Sequence, residues 1–250
     1  MKAIILAAGA GTRLTPLTRT TPKALVKLAG APLLEILLHK LIRSGFTDIA
    51  VNSHHFAEQV ISFLNNYNKN NNLNIHISRE EKLLDTGGGI KKMLQFFGEQ
   101  EPVLVHNVDI ISDLDLNAIY NDHQKSGADA TLAVQSRKTN RPLLFDSRML
   151  LCGRIHPKTN DYNIVTKPTG QVIHYAFCGI QVIRPEIFLH YPADRFYSID
   201  VYMKNASAGK YIRGWVNNDV YWNDIGTIKN LQTAEKDIIA GYYSSNLASE

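Results

Sequence analysis

The stretch MKAIILAAGAGTRLTPLTRTTPKAL, residues 1–25, constrains this chain more than any other. Lys2 to Ala7 is a short apolar run bounded by glycine, the pattern of a strand buried on both faces of a parallel sheet. A tight turn has to follow. Gly9 and Gly11 reach backbone angles closed to other residues, and without side chains they let main-chain N–H groups approach a ligand closely. Anions gain most from such a surface. Arg13 adds a planar fork of donors suited to phosphate, Thr12, Thr15 and Thr18 offer hydroxyls, and Lys23 brings a second positive charge. The stretch reads as a strand feeding a polyphosphate cradle.

Two widespread phosphate loops do not fit these letters. The dinucleotide fingerprint wants a third small residue where this chain has Leu14, and the P-loop wants Gly-Lys-Ser/Thr after its spacer. The string L-A-A-G-x-G-T-R-L followed by T-P-K-x-L instead resembles the signature of the sugar-1-phosphate nucleotidyltransferases, the nucleoside-diphosphate-sugar pyrophosphorylases. The resemblance implies that the backbone of Leu6, Ala7, Ala8 and Gly9 meets the base and ribose. It also implies that Arg13 takes the β- and γ-phosphates and Lys23 the α-phosphate.

Composition narrows the alternatives. With 250 residues, 44% hydrophobic and 20% charged, the chain can bury one substantial core. A formal net charge of +4 with no long Lys/Arg block gives nucleic acid no polyanion-binding surface. Cys152 and Cys178 have neither metal-ligand nor C-x-x-C spacing, which suits a reducing compartment. The charged start before AIILAAGAG imitates a signal peptide, but Arg13 interrupts it early, and no run approaches the ~18 apolar residues of a membrane span. The expectation is a cytoplasmic protein, off the membrane, acting as a monomer or small homo-oligomer.

Further along, Pro32 to Gly45 puts Leu33, Leu34, Leu37, Leu38, Leu41 and Ile42 on one helical face, a crossover helix. Asp48 to Asn52 reads as a second strand and Phe56 to Asn65 as a second amphipathic helix. That alternation predicts an α/β, Rossmann-like, doubly wound and mostly parallel sheet, with ligands at the carboxyl ends of the strands. Asn52, His54 and His55 fall at such an end and receive no role. Residues 65–74 are polar and low in complexity, read as a mobile loop before a strand at residues 74–78.

In LLDTGGG, residues 83–89, three glycines precede a helix expected over Ile90 to Phe97. Either they give a flexible helix entry or their bare backbone abuts a ligand, with Gly88 the point of closest approach and Asp85 a second candidate. L-[DE]-T-G-G-G looks most like the N-acetylmuramate-1-phosphate uridylyltransferase branch, whose loop here reads the base. Pro102 to Ile110 is another buried strand that delivers Asp109 to the sheet edge, a Mg²⁺ candidate because that ion takes one or two carboxylates plus substrate phosphates. Val108 stands where the family has Gly. Asp113 and Asp115 suit the start of a helix over Leu116 to Ser126.

The second half is richer in strands, with short ones around residues 128–135, 143–152 and 163–166. Its basic group Arg137, Lys138 and Arg141 is either a solvated loop or a reach toward a sugar phosphate. Lys167-Pro168 resembles the family's E-K-P, with Thr166 in place of the acidic residue. The resemblance makes Lys167 a holder of the sugar 1-phosphate and Gly179 a sugar contact. Ser198 to Gly209 reads as a capped helix with Asp200 in its first turn. DVYWNDIGT, residues 219–227, ends a strand in Asp224, the second metal candidate. W-x-D-I-G-T is a further family signature, and by the resemblance its Asp shares the metal with Asp109.

The resemblance covers residues 1–235 and implies a glycosyltransferase-A-like nucleotidyltransferase fold with a strand-rich sugar-binding lobe. The expected organisation is one domain: a nucleotide-binding half at 1–127, a sugar-phosphate-binding half at 128–227, and a C-terminal helix and tail at 228–250. The ligand set is a nucleoside triphosphate, a sugar 1-phosphate and Mg²⁺, with no appended β-helix domain. UTP with N-acetylmuramate or N-acetylglucosamine 1-phosphate is the expected pair. Mannose- or heptose-1-phosphate guanylyltransfer is the alternative enzyme, and a noncatalytic nucleotide-sugar sensor the alternative from another class.

Overall fold

A computed structural model describes residues 1–71 and 73–243. The chain divides into two compact units, one formed by Met1–Leu83, His106–Leu114 and the chain from Val220 onward, the other by Leu84–Val105 and Asp115–Asp219.

The first unit holds parallel strands. Lys2–Leu6 pairs with Asp48–Ser53, which pairs with Asn74–Arg79, each in parallel register. Ala3, Ile4, Ile5, Ile49, Ala50 and Val51 are fully buried, as an apolar run covered on both faces requires. The crossover helix Leu33–Arg43 buries Leu33, Leu34, Ile36, Leu37, Leu38 and Leu41. Ile42 is only partly buried, and Ile36 takes its expected place on the apolar face. The helix Ala57–Asn71 runs through most of the polar stretch expected to be a loop. Asn and Lys are poor evidence against a helix when an apolar face already holds it: Val60 and Leu64 are buried one turn apart.

The second unit is largely antiparallel. The long strand Ile173–Ile183 pairs with Ala130–Gln135 and with Leu143–Phe145, both antiparallel, and its register shifts between Phe177 and Gln181. Gly179 sits in that bulge with φ +74, a left-handed backbone that glycine adopts without strain. The strand Leu151–Ile155 joins Leu143–Phe145 to Tyr162–Ile164, and Ile212–Val216 lies parallel to Ala130–Gln135. The helix Leu116–Ser126 begins where expected, with Asp115 accepting from the Asn117 and Ala118 amides. The Tyr197 side chain does not cap the helix Ser198–Ser207; the Thr86 hydroxyl accepts its Ser198 amide at 3.0 Å, and Asp200 in its first turn pairs with Arg154 at 3.0 Å.

The three-glycine run departs most from expectation. The helix starts at Asp85 and ends at Leu94, so the glycines lie inside it. The Gly87 and Gly88 amides donate to the Phe196 carbonyl at 2.8 and 3.3 Å. A Cβ on Gly87 would fall 2.3 Å from the Phe196 ring, and one on Gly88 only 2.0 Å from the Asp194 carbonyl oxygen. Asp85, at φ +58, holds the same segment through Arg195 at 2.8 Å. The bare faces of Gly87 and Gly88 are thus filled by protein.

Gly88→Ala should cost on the order of 3 kcal/mol, because a backbone carbonyl has to move to admit the methyl group. Gly98→Ala, with nothing within 4 Å of the added atom, should be close to neutral. Denaturant midpoints of the two variants measure the contrast, and equal midpoints would contradict this account of the glycines.

Candidate active site

Arg13, Lys23, Asp109 and Asp224 all belong to the first unit. The strand Val103–Asn107 ends two residues before Asp109, and a second short strand, Ile110–Ser112, starts immediately after it. Ile110–Ser112 pairs antiparallel with Trp222–Asp224, placing Ile110 opposite Asp224. Ile225 N–H donates to the Asp109 carbonyl at 2.8 Å, so backbone bonds alone bring the two aspartates side by side.

Their carboxyl groups are close enough to shift each other's ionisation. Lys23 Nζ donates to Asp109 Oδ2 with both side chains largely buried. Burial pushes the Asp109 carboxyl up, and the Lys23 ammonium, together with hydrogen bonding from Asp224 and the backbone, more than offsets it, so Asp109 stays below the usual carboxylate range. Asp224 goes the other way: burial, then the Asp109 charge, raise it, opposed by Lys23 and Arg13. Asp224 Oδ1 accepts the Gly226 amide at 2.8 Å. A Cβ on Gly226 would sit 2.7 Å from both Asp224 Oδ1 and Arg13 Nη2, so glycine there lets guanidinium and carboxylate close on one turn. His106 adds no cation, since burial pushes its pKa down to about 3.

A core cluster fixes these positions. Leu14, Val26, Ile111 and Ile225 pack together with Leu28, Leu33, Ile36, Leu231, Ala234 and Tyr243. Each charged residue is therefore within three residues of a buried apolar anchor in that cluster.

The glycine loop uses its groups differently from expectation. Gly11 has φ +64, and a Cβ there would meet Thr18 Cγ2 at 2.9 Å and Lys23 Cβ at 3.0 Å, so its bareness serves packing and conformation. Nothing lies within 4 Å of the Cβ position of Gly9. The Thr15 and Thr18 hydroxyls donate to the Thr12 and Gly11 carbonyls, both at 2.9 Å, rather than outward. Thr12 and Arg13 are exposed. The Ala7 and Ala8 amides, expected to face a ligand, donate to Asn52 Oδ1, and the Leu6 carbonyl accepts Val108 N–H at 3.1 Å. Val108 itself is buried, so the side chain in place of the family glycine goes into the core.

Asn52 is a residue the sequence placed at a strand end without a role. Its signal was position: a polar side chain at the carboxyl end of the strand next to the cradle strand. In the second unit, Lys167 is exposed between the strands Tyr162–Ile164 and Ile173–Ile183, and Gly179 lies in the bulge of the latter. Arg137 donates to the Phe177 carbonyl at 2.8 Å, which makes it a structural tie more than a free cation. Cys152 and Cys178 are free thiols, both buried. Among the described residues no helix is long and apolar enough to cross a membrane.

The Asp109 and Asp224 carboxylates supply hard oxygens, the donor type that Mg²⁺ takes, and their mutual charge needs a cation. Among the described residues no third His, Cys, Asp or Glu joins them. A carboxylate pair beside a Lys and an Arg, following a glycine loop, is a site for polyphosphate chemistry. The family model for nucleotidyl transferases matches residues 2–241. The chain belongs to that family. It is 31% identical over 238 residues to the N-acetylmuramate alpha-1-phosphate uridylyltransferase of Neisseria meningitidis serogroup B, covering 94% of this chain and 97% of that protein. It is also 31% identical over 188 residues to a mannose-1-phosphate guanyltransferase of Hypocrea jecorina, covering 75% of this chain and 50% of that longer one. The crystal structure of HddC from Yersinia pseudotuberculosis complexed with GMP-PN shares the fold, with a TM-score of 0.71 at 22% identity over 95% of this chain and 99% of that one. The protein is thus a nucleotidyltransferase of the group acting on sugar 1-phosphates, with the α/β fold expected.

Lys23→Met should destabilise the ligand-free nucleotidyltransferase by on the order of 3 kcal/mol at neutral pH, since it strands a buried carboxylate. Asp109 is depressed in the folded state, so the stabilisation from Lys23 is present above the unfolded Asp value near ~3.9 and lost as pH falls through the folded one. The difference between variant and parent should shrink below about pH 4. Urea midpoints across pH check this, and a pH-independent difference would show that the ion pair is not its source.

Proposed function

We propose that this enzyme transfers a uridylyl group from UTP to N-acetylmuramate or N-acetylglucosamine 1-phosphate, releasing pyrophosphate and forming a UDP-sugar. The observation that carries the reaction class is the cluster of Lys23 and Arg13 around the Asp109–Asp224 pair. The choice of substrates rests on the LDTGGG string and on the uridylyltransferase relative that aligns over nearly the whole chain.

In the reaction an oxygen of the sugar 1-phosphate attacks the α-phosphorus of the triphosphate, and the bond to the departing pyrophosphate breaks. The nucleophile arrives ionised, so no general base is required, and rate comes from alignment and charge neutralisation. Bound Mg²⁺, held by Asp109 and Asp224, would neutralise and orient the phosphate oxygens. Arg13, exposed beside Asp224, takes the β- and γ-phosphates and the charge that builds on the leaving group. Lys23 moves from Asp109 toward the α-phosphate. Gly9 and Thr12 line the triphosphate, Gly11 shapes the loop, and Leu6, Ala7 and Ala8 form its rigid base. In the other unit, exposed Lys167 meets the acceptor phosphate and Gly179 its sugar. Gly88 acts through the segment it packs against. The second reading, GTP with mannose or heptose 1-phosphate, draws on the equal identity to the guanyltransferase.

Pyrophosphate release across four triphosphates and a panel of sugar phosphates tests the choice. A preference for GTP with mannose or heptose phosphate would replace it. Asp109→Asn and Asp224→Asn should each remove most turnover, with the double variant hardly worse, because residues sharing one ion act as a unit. Full activity of either single variant at saturating Mg²⁺ would take that residue out of the metal site. Lys167→Ala should lower acceptor efficiency about ten- to a hundredfold while leaving nucleotide affinity unchanged.

A further inference from the structure

The parallel register between Lys2–Leu6 and Asp48–Ser53 runs only as far as Ile5 opposite Val51. Beyond Leu6 the strand ends, and one side chain takes over. Asn52, 3% exposed, accepts the Ala7 amide at 2.6 Å and the Ala8 amide at 3.2 Å on its single Oδ1. Its Nδ2 donates to Glu80 Oε1 at 2.7 Å, and Glu80 is also 3% exposed. Glu80 is fixed in turn, with its N–H on the Ser53 carbonyl and its own carbonyl on His54 Nδ1, each at 2.8 Å.

The chemistry of this chain is directional. A side-chain amide is ambiguous, because either end can face a neighbour, and a flipped Asn52 would point N–H groups at two other N–H groups. The buried carboxylate removes the ambiguity, since a carboxylate can only accept and so selects Nδ2 over Oδ1. It also polarises the amide and strengthens Oδ1 as an acceptor. Such a carboxylate is a costly way to satisfy two amides if satisfaction were all that was needed. What it adds is a fixed direction for the backbone at Ala7 and Ala8, immediately before Gly9, whose surroundings are open.

We propose that Asn52 and Glu80 are positioning residues, a two-step relay that aims the Gly9–Arg13 loop at the triphosphate without touching it. The proposal rests on the nucleotide reading of that loop. The test is a set of variants at the two positions, read by amide hydrogen exchange at Ala7 and Ala8, by calorimetric titration of UTP and GTP without acceptor, and by KM for the sugar phosphate. Asn52→Asp sets two carboxylates face to face, so exchange at both amides and the nucleotide Kd should each rise about tenfold or more, with acceptor KM unchanged. Adding Glu80→Gln to Asn52→Asp restores a donor to the new carboxylate and should bring both readouts back to within about threefold of the parent. Should Asn52→Asp not fold, Glu80→Ala carries the test: raised nucleotide Kd and unchanged acceptor KM, with Glu80→Gln, whose amide can face Asn52 either way, between Glu80→Ala and the parent. An unchanged nucleotide Kd in Asn52→Asp or Glu80→Ala, or a double variant no better than Asn52→Asp, overturns the relay. A parent protein that binds neither UTP nor GTP defeats the nucleotide reading itself, and the relay's purpose with it, while the exchange rates still report the hydrogen bonds.

Discussion

Two carboxylates held against each other in a largely buried site set the terms for the rest of the first unit. Asp109 and Asp224 are brought together by backbone pairing between Ile110–Ser112 and Trp222–Asp224, a contact that costs electrostatic energy unless cations answer it. Lys23 answers from the glycine loop's far end and Arg13 from its middle. The loop's path from Gly9 to Lys23 is the path that delivers these cations. The apolar cluster beneath makes the delivery rigid, because Leu14, Val26, Ile111 and Ile225 anchor the chain beside each charged residue.

How much of this the sequence discloses depends on the range of the interaction. Strand and helix identities were legible because periodicity is local: Lys2–Leu6 and Leu116–Ser126 stand almost where their patterns put them. Asp109 and Asp224 were legible as strand-end acids, since a buried strand has few reasons to end in one. Asn52 and Glu80 were not, because neither has a local pattern and their meaning lies in hydrogen bonds across 45 and 28 residues of sequence. Only the last turns of the helix Ala57–Asn71 were misjudged, and for the opposite reason: their polar residues were visible in the sequence, and the packing of Tyr67 on Phe63 and His39 was not.

The glycines show why a residue type cannot be converted directly into a ligand contact. Gly9 faces open space, Gly11 accommodates Thr18 and the Lys23 stem, Gly88 accommodates the Asp194 carbonyl, and Gly226 lets Arg13 and Asp224 converge. All of them follow from the absence of a Cβ. Of these four, only Gly9 leaves the vacated volume open, so a close-approach reading from sequence is separable from a packing reading only once neighbours far along the chain are placed.

The ligand-free arrangement also bears on how the site accepts its substrates. Lys23 donates to Asp109, so under the proposed reaction one ammonium serves two anions in turn: the carboxylate before binding and the α-phosphate after it. That exchange is balanced if a divalent cation takes over the carboxylate as the phosphate arrives, since the charge leaving Asp109 is replaced by a larger one. A phosphate entering alone would strand Asp109 beside Asp224, and a metal entering alone would confront the Lys23 ammonium. Under that reading the two ligands would favour each other's binding, and the linkage would be reciprocal. Under the proposed reaction, joint entry of metal and triphosphate would be the low-energy route, with Lys23 as the residue that couples the two.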